Sequence, residues 1–211
     1  MIIINFKTYH KATGKAAEEL NQKIENARKR TDKEIIVSPS APDLTRIESD
    51  NLFAQHIDPV NPGSHTGHIT IEAAKEAGAT GTLLNHSEKR LDNEKLKESV
   101  AMAKEKGLTT VVCAQDPEEC GEYAELEPDY IAYEPPELIG GNISVSSSKP
   151  ELIEEAVEKS GEIPVLTGAG IKDREDVKKS IELGCEGILV ASGVIKSEDS
   201  YEAVLDLCEG L

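Results

Sequence analysis

Short runs rich in Ile, Val and Leu alternate along the chain with polar stretches whose apolar residues recur every three or four positions, and the alternation repeats eight times. Short apolar runs bounded by turn residues read as strands, and the wider spacing reads as helices that cover a sheet with one face. The predicted strands are Ile2 to Asn5, Glu34 to Val37, Leu52 to Ile57, Gly81 to Asn85, Thr109 to Ala114, Tyr130 to Glu134, Pro164 to Gly168 and Gly187 to Ala191. Helical spacing links Ala16, Leu20, Ile24 and Ala27, then Leu96, Val100 and Ala103, then Leu152, Ala156 and Val157, then Val204, Leu205 and Cys208. Pro42 to Ser49, Ile71 to Glu76 and Pro117 to Leu126 predict short helices of two or three turns. Asp92, Asp116 and Asp173 stand where N-caps are expected, and Gly78, Gly107 and Gly184 where helices end before a strand.

The strands are apolar throughout rather than alternating, as in a parallel sheet buried on both faces. Eight such βα units close into a single (β/α)8 barrel over residues 1–211, with some shortened helices and an active site at the carboxyl ends of the strands. A doubly wound open sheet competes, but it predicts a glycine-rich turn after the first strand. Here that strand runs into Asn5-Phe6-Lys7-Thr8-Tyr9, and the glycine-rich segments follow strands 7 and 8.

With 211 residues, 38% of them apolar and 30% charged, the chain has enough material for one core and too little for two. No stretch approaches the roughly 20 apolar residues of a membrane span, and no basic-then-apolar leader opens the chain, so a cytoplasmic protein is expected. The formal net charge of -17 argues against nucleic acid and anionic membranes as partners. Cys113, Cys120, Cys185 and Cys208 are widely spaced, as suits buried thiols in a reducing compartment rather than a disulfide framework. His56, His65 and His68 lie in or beside one loop without a supporting carboxylate at metal-ligand spacing, and read as structural or interface residues; His10 reads as solvent-facing.

Three strand-like runs finish in chemically capable residues. Asn5 and Lys7 share a face by the two-residue period of a strand, and together suit an anionic substrate. His86 is expected where a strand hands over to a short helix, whose amide donors favour a neutral imidazole that polarises a carbonyl by donating a hydrogen bond. Glu134 ends an apolar run and is followed by Pro135-Pro136, with Gly140-Gly141 further on, which suits a general base beneath a moving lid whose Ile139 covers the substrate. Thr167-Gly168-Ala169-Gly170-Ile171 and Val190-Ala191-Ser192-Gly193-Val194 bring small residues to the barrel's usual phosphate position.

Taken together, Asn5 and Lys7, Ala54-Gln55-His56 with the loop through Pro62-Gly63-Ser64-His65-Thr66-Gly67, Asn85-His86-Ser87-Glu88, the segment Glu134 to Gly140 and the two glycine-rich loops resemble the triosephosphate isomerase family across essentially the whole chain, most closely its short archaeal form. The resemblance implies interconversion of dihydroxyacetone phosphate and glyceraldehyde 3-phosphate without cofactor or metal. A glutamate base working with a neutral histidine is that family's established chemistry. It implies Glu134 as base, His86 as electrophile and proton carrier, and Lys7 as the cation, with Asn5 placing the substrate. Ile139, Gly140, Gly170, Ala191 and Ser192 then bind substrate, and Glu88 is a carboxylate beside Lys7 and His86. A homodimer or homotetramer is implied too, with the Thr66 loop at the interface. The chain departs from the family at Gly140-Gly141-Asn142, where Gly-Thr-Gly is usual, and at Lys89, a place more often arginine or asparagine. It is also expected to be shorter than most archaeal members. A different phosphate-binding barrel isomerase, a Schiff-base aldolase and a noncatalytic sugar-phosphate barrel are the alternatives; no predicted strand core carries the aldolase's lysine.

Overall fold

The computed structural model describes residues 1–136 and 149–211. Eight strands, β1 (Ile2–Asn5), β2 (Ile35–Ser38), β3 (Phe53–Ala54), β4 (Gly81–Leu84), β5 (Thr109–Ala114), β6 (Tyr130–Tyr133), β7 (Val165–Thr167) and β8 (Gly187–Val190), form one all-parallel sheet in the order β2-β1-β8-β7-β6-β5-β4-β3. Its two ends meet through a parallel bridge between Val37 and Leu52, which closes the barrel. The described helices are α1 (Lys15–Arg28), α2 (Ile71–Glu76), α3 (Asn93–Glu105), α4 (Pro117–Ala124), α5 (Pro150–Ser160), α6 (Arg174–Glu182), α7 (Ser192–Ile195) and α8 (Ser200–Glu209).

Because both faces of each strand are buried, the chain builds two cores. Ile3, Ile36, Phe53, Leu83, Val111, Cys113, Ala132, Leu166 and Leu189 fill the barrel interior, while the alternate strand residues pack outward against the helices. Two residues beyond the last interior residue of each strand, the chain carries Asn5, Ser38, Gln55, Asn85, Gln115, Glu134, Gly168 and Ala191. The interior thus changes from apolar to polar or small in one step at the carboxyl end, and that step makes the floor of a site.

The helix starts follow the capping chemistry expected of them: Asp92, Asp116 and Asp173 accept the N–H groups of Lys95, Glu119 and Asp176. The buried stripe of α1 is Ala17, Leu20, Ile24 and Ala27, so Ala17 rather than Ala16 faces the core; likewise Ile153 and Leu207 are buried where Val157 and Leu205 were expected. The segment predicted as a helix from Pro42 to Ser49 is a 3-10 turn at Ala41–Arg46, anchored by buried Asp43, which accepts the Gly14 N–H and the Ser40 hydroxyl. Strand β3 stops at Ala54, three residues short of expectation, because the Gln55 side chain rather than its backbone reaches back across the seam.

Candidate active site

One pocket at the carboxyl end of the barrel is lined by Asn5, Lys7, Tyr9, His86, Glu134, Gly168, Gly170, Ile171, Lys172, Ala191 and Ser192, with Leu189 and Val190 beneath. Five strand ends that are distant in sequence, those of β1, β4, β6, β7 and β8, therefore deliver the predicted residues to one place. Ile139, Gly140 and Gly141 lie outside the described residues. Of their neighbours, Pro135 is buried and Pro136 exposed.

Lys7 leaves β1 with φ 47, a left-handed conformation uncommon for a residue with a side chain. Its N–H donates to Asn5 Oδ1 at 2.9 Å, and its Nζ is 3.0 Å from Glu88 Oε1. Asn5 thus fixes the backbone turn that carries the cation, as well as facing the pocket itself.

His86 is reached by a second left-handed residue, Asn85, with φ 60. The buried Asn85 amide donates to the Cys113 carbonyl at 3.1 Å and accepts the Leu91 N–H at 2.9 Å, spanning the base of the loop. A turn, not the expected short helix, follows His86, closed by the Lys89 N–H on the His86 carbonyl. The turn still supplies the amide donor: the Glu88 N–H points at His86 Nδ1 at 3.1 Å. With Nδ1 accepting, a neutral ring carries its proton on Nε2. Arg90 braces the far end of the turn, paired with Glu119 on α4 and donating to the Tyr123 hydroxyl at 3.1 Å.

Glu134 directly follows β6 and is only 4% exposed. Its Oε2 lies 3.5 Å from His86 Nε2, and neither buried atom has a hydrogen-bond partner among the described residues. Burial raises the carboxyl's pKa above the ordinary glutamate value, against the opposing pull of His86, a hydrogen bond with Cys113, and Lys7. The Cys113 thiol is itself pushed well up by burial and by the glutamate's charge, so it remains a neutral donor.

Gly168 makes room for that carboxylate: an added Cβ there would stand 2.9 Å from Glu134 Cδ and closer still to Cγ. Gly193 has a similar part at the rim, since a Cβ would meet the Ile171 carbonyl at 2.9 Å, so only glycine lets the loop after β8 pack on the loop after β7. These two loops bring Gly170, Ala191 and Ser192 together at the start of α7, whose first N–H groups have no acceptor within the helix. Lys172 adds a cation to the same wall. Sequence reasoning passed over Lys172, Tyr9 and the steric part of Gly168; a lysine directly after a glycine-rich loop was the one available signal.

The remaining histidines stay out of this pocket. His56 is buried with its Nε2 3.2 Å from Asp58 Oδ1, and burial lowers its pKa. Asp58 also accepts the Ile69 N–H at 2.7 Å, pinning both ends of a loop whose residues 61–68, Thr66 among them, are all exposed. His10 is exposed, and all four cysteines are buried and free. No group of three or more potential metal ligands occurs among the described residues, and no described helix is long and apolar enough to cross a membrane.

Comparison with known proteins points the same way. The sequence model of a family described as triosephosphate isomerase matches residues 1–210. A triosephosphate isomerase of Methanothermus fervidus is 45% identical over 98% of this chain and 96% of its own length. Those of Thermoplasma volcanium and Methanocaldococcus jannaschii are each 44% identical over 98% of both chains. With each of these three the match runs over nearly the whole of both chains.

Proposed function

The chain belongs to the triosephosphate isomerase family, and from that premise we propose that residues 1–211 act as one domain in which Glu134, His86 and Lys7 interconvert dihydroxyacetone phosphate and D-glyceraldehyde 3-phosphate. The enzyme is an isomerase, serving glycolysis and, in the reverse direction, gluconeogenesis. In one direction the Glu134 carboxylate takes a proton from C1 of dihydroxyacetone phosphate, the C–H electron pair becomes the C=C bond of an enediolate, and the carbonyl pair moves to oxygen. The His86 Nε2–H donates to that oxygen and a proton passes between the two oxygens. Glu134 then returns its proton to C2, giving the aldehyde. Lys7 offsets the developing negative charge, and Asn5 holds the substrate beside it.

The observation that carries this reading is the facing of Glu134 Oε2 and His86 Nε2, both buried and both lacking a hydrogen-bond partner among the described residues. Buried polar atoms are ordinarily paired, and a substrate's C–H and carbonyl oxygen are the complement these two lack. Gly170, Ala191, Ser192 and Lys172 answer the phosphate, which the overall charge of -17 would otherwise repel. Buried free cysteines suit a cytoplasmic location. The pinned, fully exposed loop 61–68 suits self-association as a homodimer or homotetramer, with Thr66 at the interface. A coupled assay with glyceraldehyde 3-phosphate tests the activity, and turnover is expected; no turnover by folded protein would remove the reading.

A further inference from the structure

The seam of the barrel between β2 and β3 is its thinnest join, held in the backbone by the single bridge at Val37 and Leu52. Just beyond it, the side-chain amide of Gln55 crosses from β3 over β2 to β1. Its Nε2 donates to the Ser38 carbonyl at 3.0 Å and to the Lys7 carbonyl at 3.1 Å. Lys7 is thereby gripped on both sides of its left-handed Cα: its N–H by Asn5 Oδ1 and its C=O by Gln55. Relaxing either grip lets the backbone fall back towards ordinary φ and swings the ammonium away from its 3.0 Å contact with Glu88.

We propose that Gln55 is a positioning residue for the isomerisation, acting through the Lys7 carbonyl to hold the strained backbone that aims the Lys7 ammonium into the pocket. This rests on the catalytic reading of Lys7 given above. The amide suits the task because one NH2 group can serve two carbonyls, which neither a carboxylate nor an aliphatic chain of similar length can do.

The test is a double-mutant cycle on kcat/KM with Gln55→Met, Lys7→Met and the pair, each with its melting temperature. Gln55→Met is expected to lower kcat/KM by about 10- to 100-fold, the scale of a misplacement near 1 Å, and to add almost nothing in the Lys7→Met background. A loss that multiplies with that of Lys7→Met, or no loss at all, overturns the proposal, since a merely structural seam would weaken both backgrounds equally. If Lys7→Met alone retains full activity, the catalytic reading of Lys7 fails instead. Should Gln55→Met not fold, Gln55→Glu, which sets an acceptor against two carbonyls, is read in the same cycle with the same expected outcomes.

Discussion

Replacing Gly168 with alanine tests whether the position of the Glu134 carboxylate, rather than its mere presence, sets the rate. The new Cβ would stand 2.9 Å from Glu134 Cδ and 3.0 Å from Oε1, and closer still to Cγ. Carbon atoms rest at roughly 3.5–4.0 Å, so relief requires the glutamate to move by about 1 Å. The backbone of Gly168 is not free to yield, because its N–H donates to the Tyr133 carbonyl at 2.9 Å within the β6–β7 ladder. Overpacking of this kind costs about 1–3 kcal/mol, or about 2–12 °C in Tm for a chain of this size. Catalysis suffers more, since a displacement of about 1 Å at the reacting group is worth about 100-fold. Steady-state kinetics beside a melting curve should therefore show a folded protein with kcat/KM reduced by about two orders of magnitude. Wild-type kcat/KM in Gly168→Ala would refute the steric role of this glycine.

Two further consequences concern pH and the histidine turn. Burial raises the Glu134 pKa above the ordinary 4.5. The acid limb of kcat/KM should fall above that value, and between 4.5 and the raised value the folded protein binds a proton the unfolded chain has released. The Glu134 contribution to stability is then full below 4.5 and lost as pH rises through the raised value, a slope that denaturation at several pH values should find in wild type and not in Glu134→Gln. Asn85→Ala removes two buried hydrogen bonds and leaves alanine in a left-handed conformation. It should cost about 2–4 kcal/mol by denaturant titration and lower kcat through the displaced His86.

The barrel could be read from the chain because a strand buried on both faces must be apolar throughout, and eight such runs leave few other arrangements. Capping was legible for the same local reason: Asp92, Asp116 and Asp173 do their work within three residues. The misplaced boundaries share a cause that is not local. Strand β3 ends early because Gln55 bonds to Ser38 of β2 and to Lys7 just past β1, and the 42–49 segment winds as a 3-10 turn around a buried Asp43 bound to Gly14. In the site, Glu134, His86 and Lys7 stood out because each ends an apolar run. In the sequence Gly168 belongs to an anion loop, and its nearness to Glu134 emerges only once β6 and β7 lie side by side. Glu119 and Cys113 sit among ordinary helix and strand residues and Arg90 in an ordinary polar loop, so nothing in their sequence setting separates them from packing.

The most direct measurement is deuterium exchange into dihydroxyacetone phosphate in D2O, followed by proton NMR for wild type and Glu134→Gln, with binding of inorganic phosphate to both as a control. Wild type should wash solvent deuterium into C1 during turnover, whereas the Gln variant should bind phosphate with similar affinity and exchange at least about 100-fold more slowly, the scale of a lost general base. Exchange at the wild-type rate in Glu134→Gln, with phosphate still bound, would show that another group abstracts the proton.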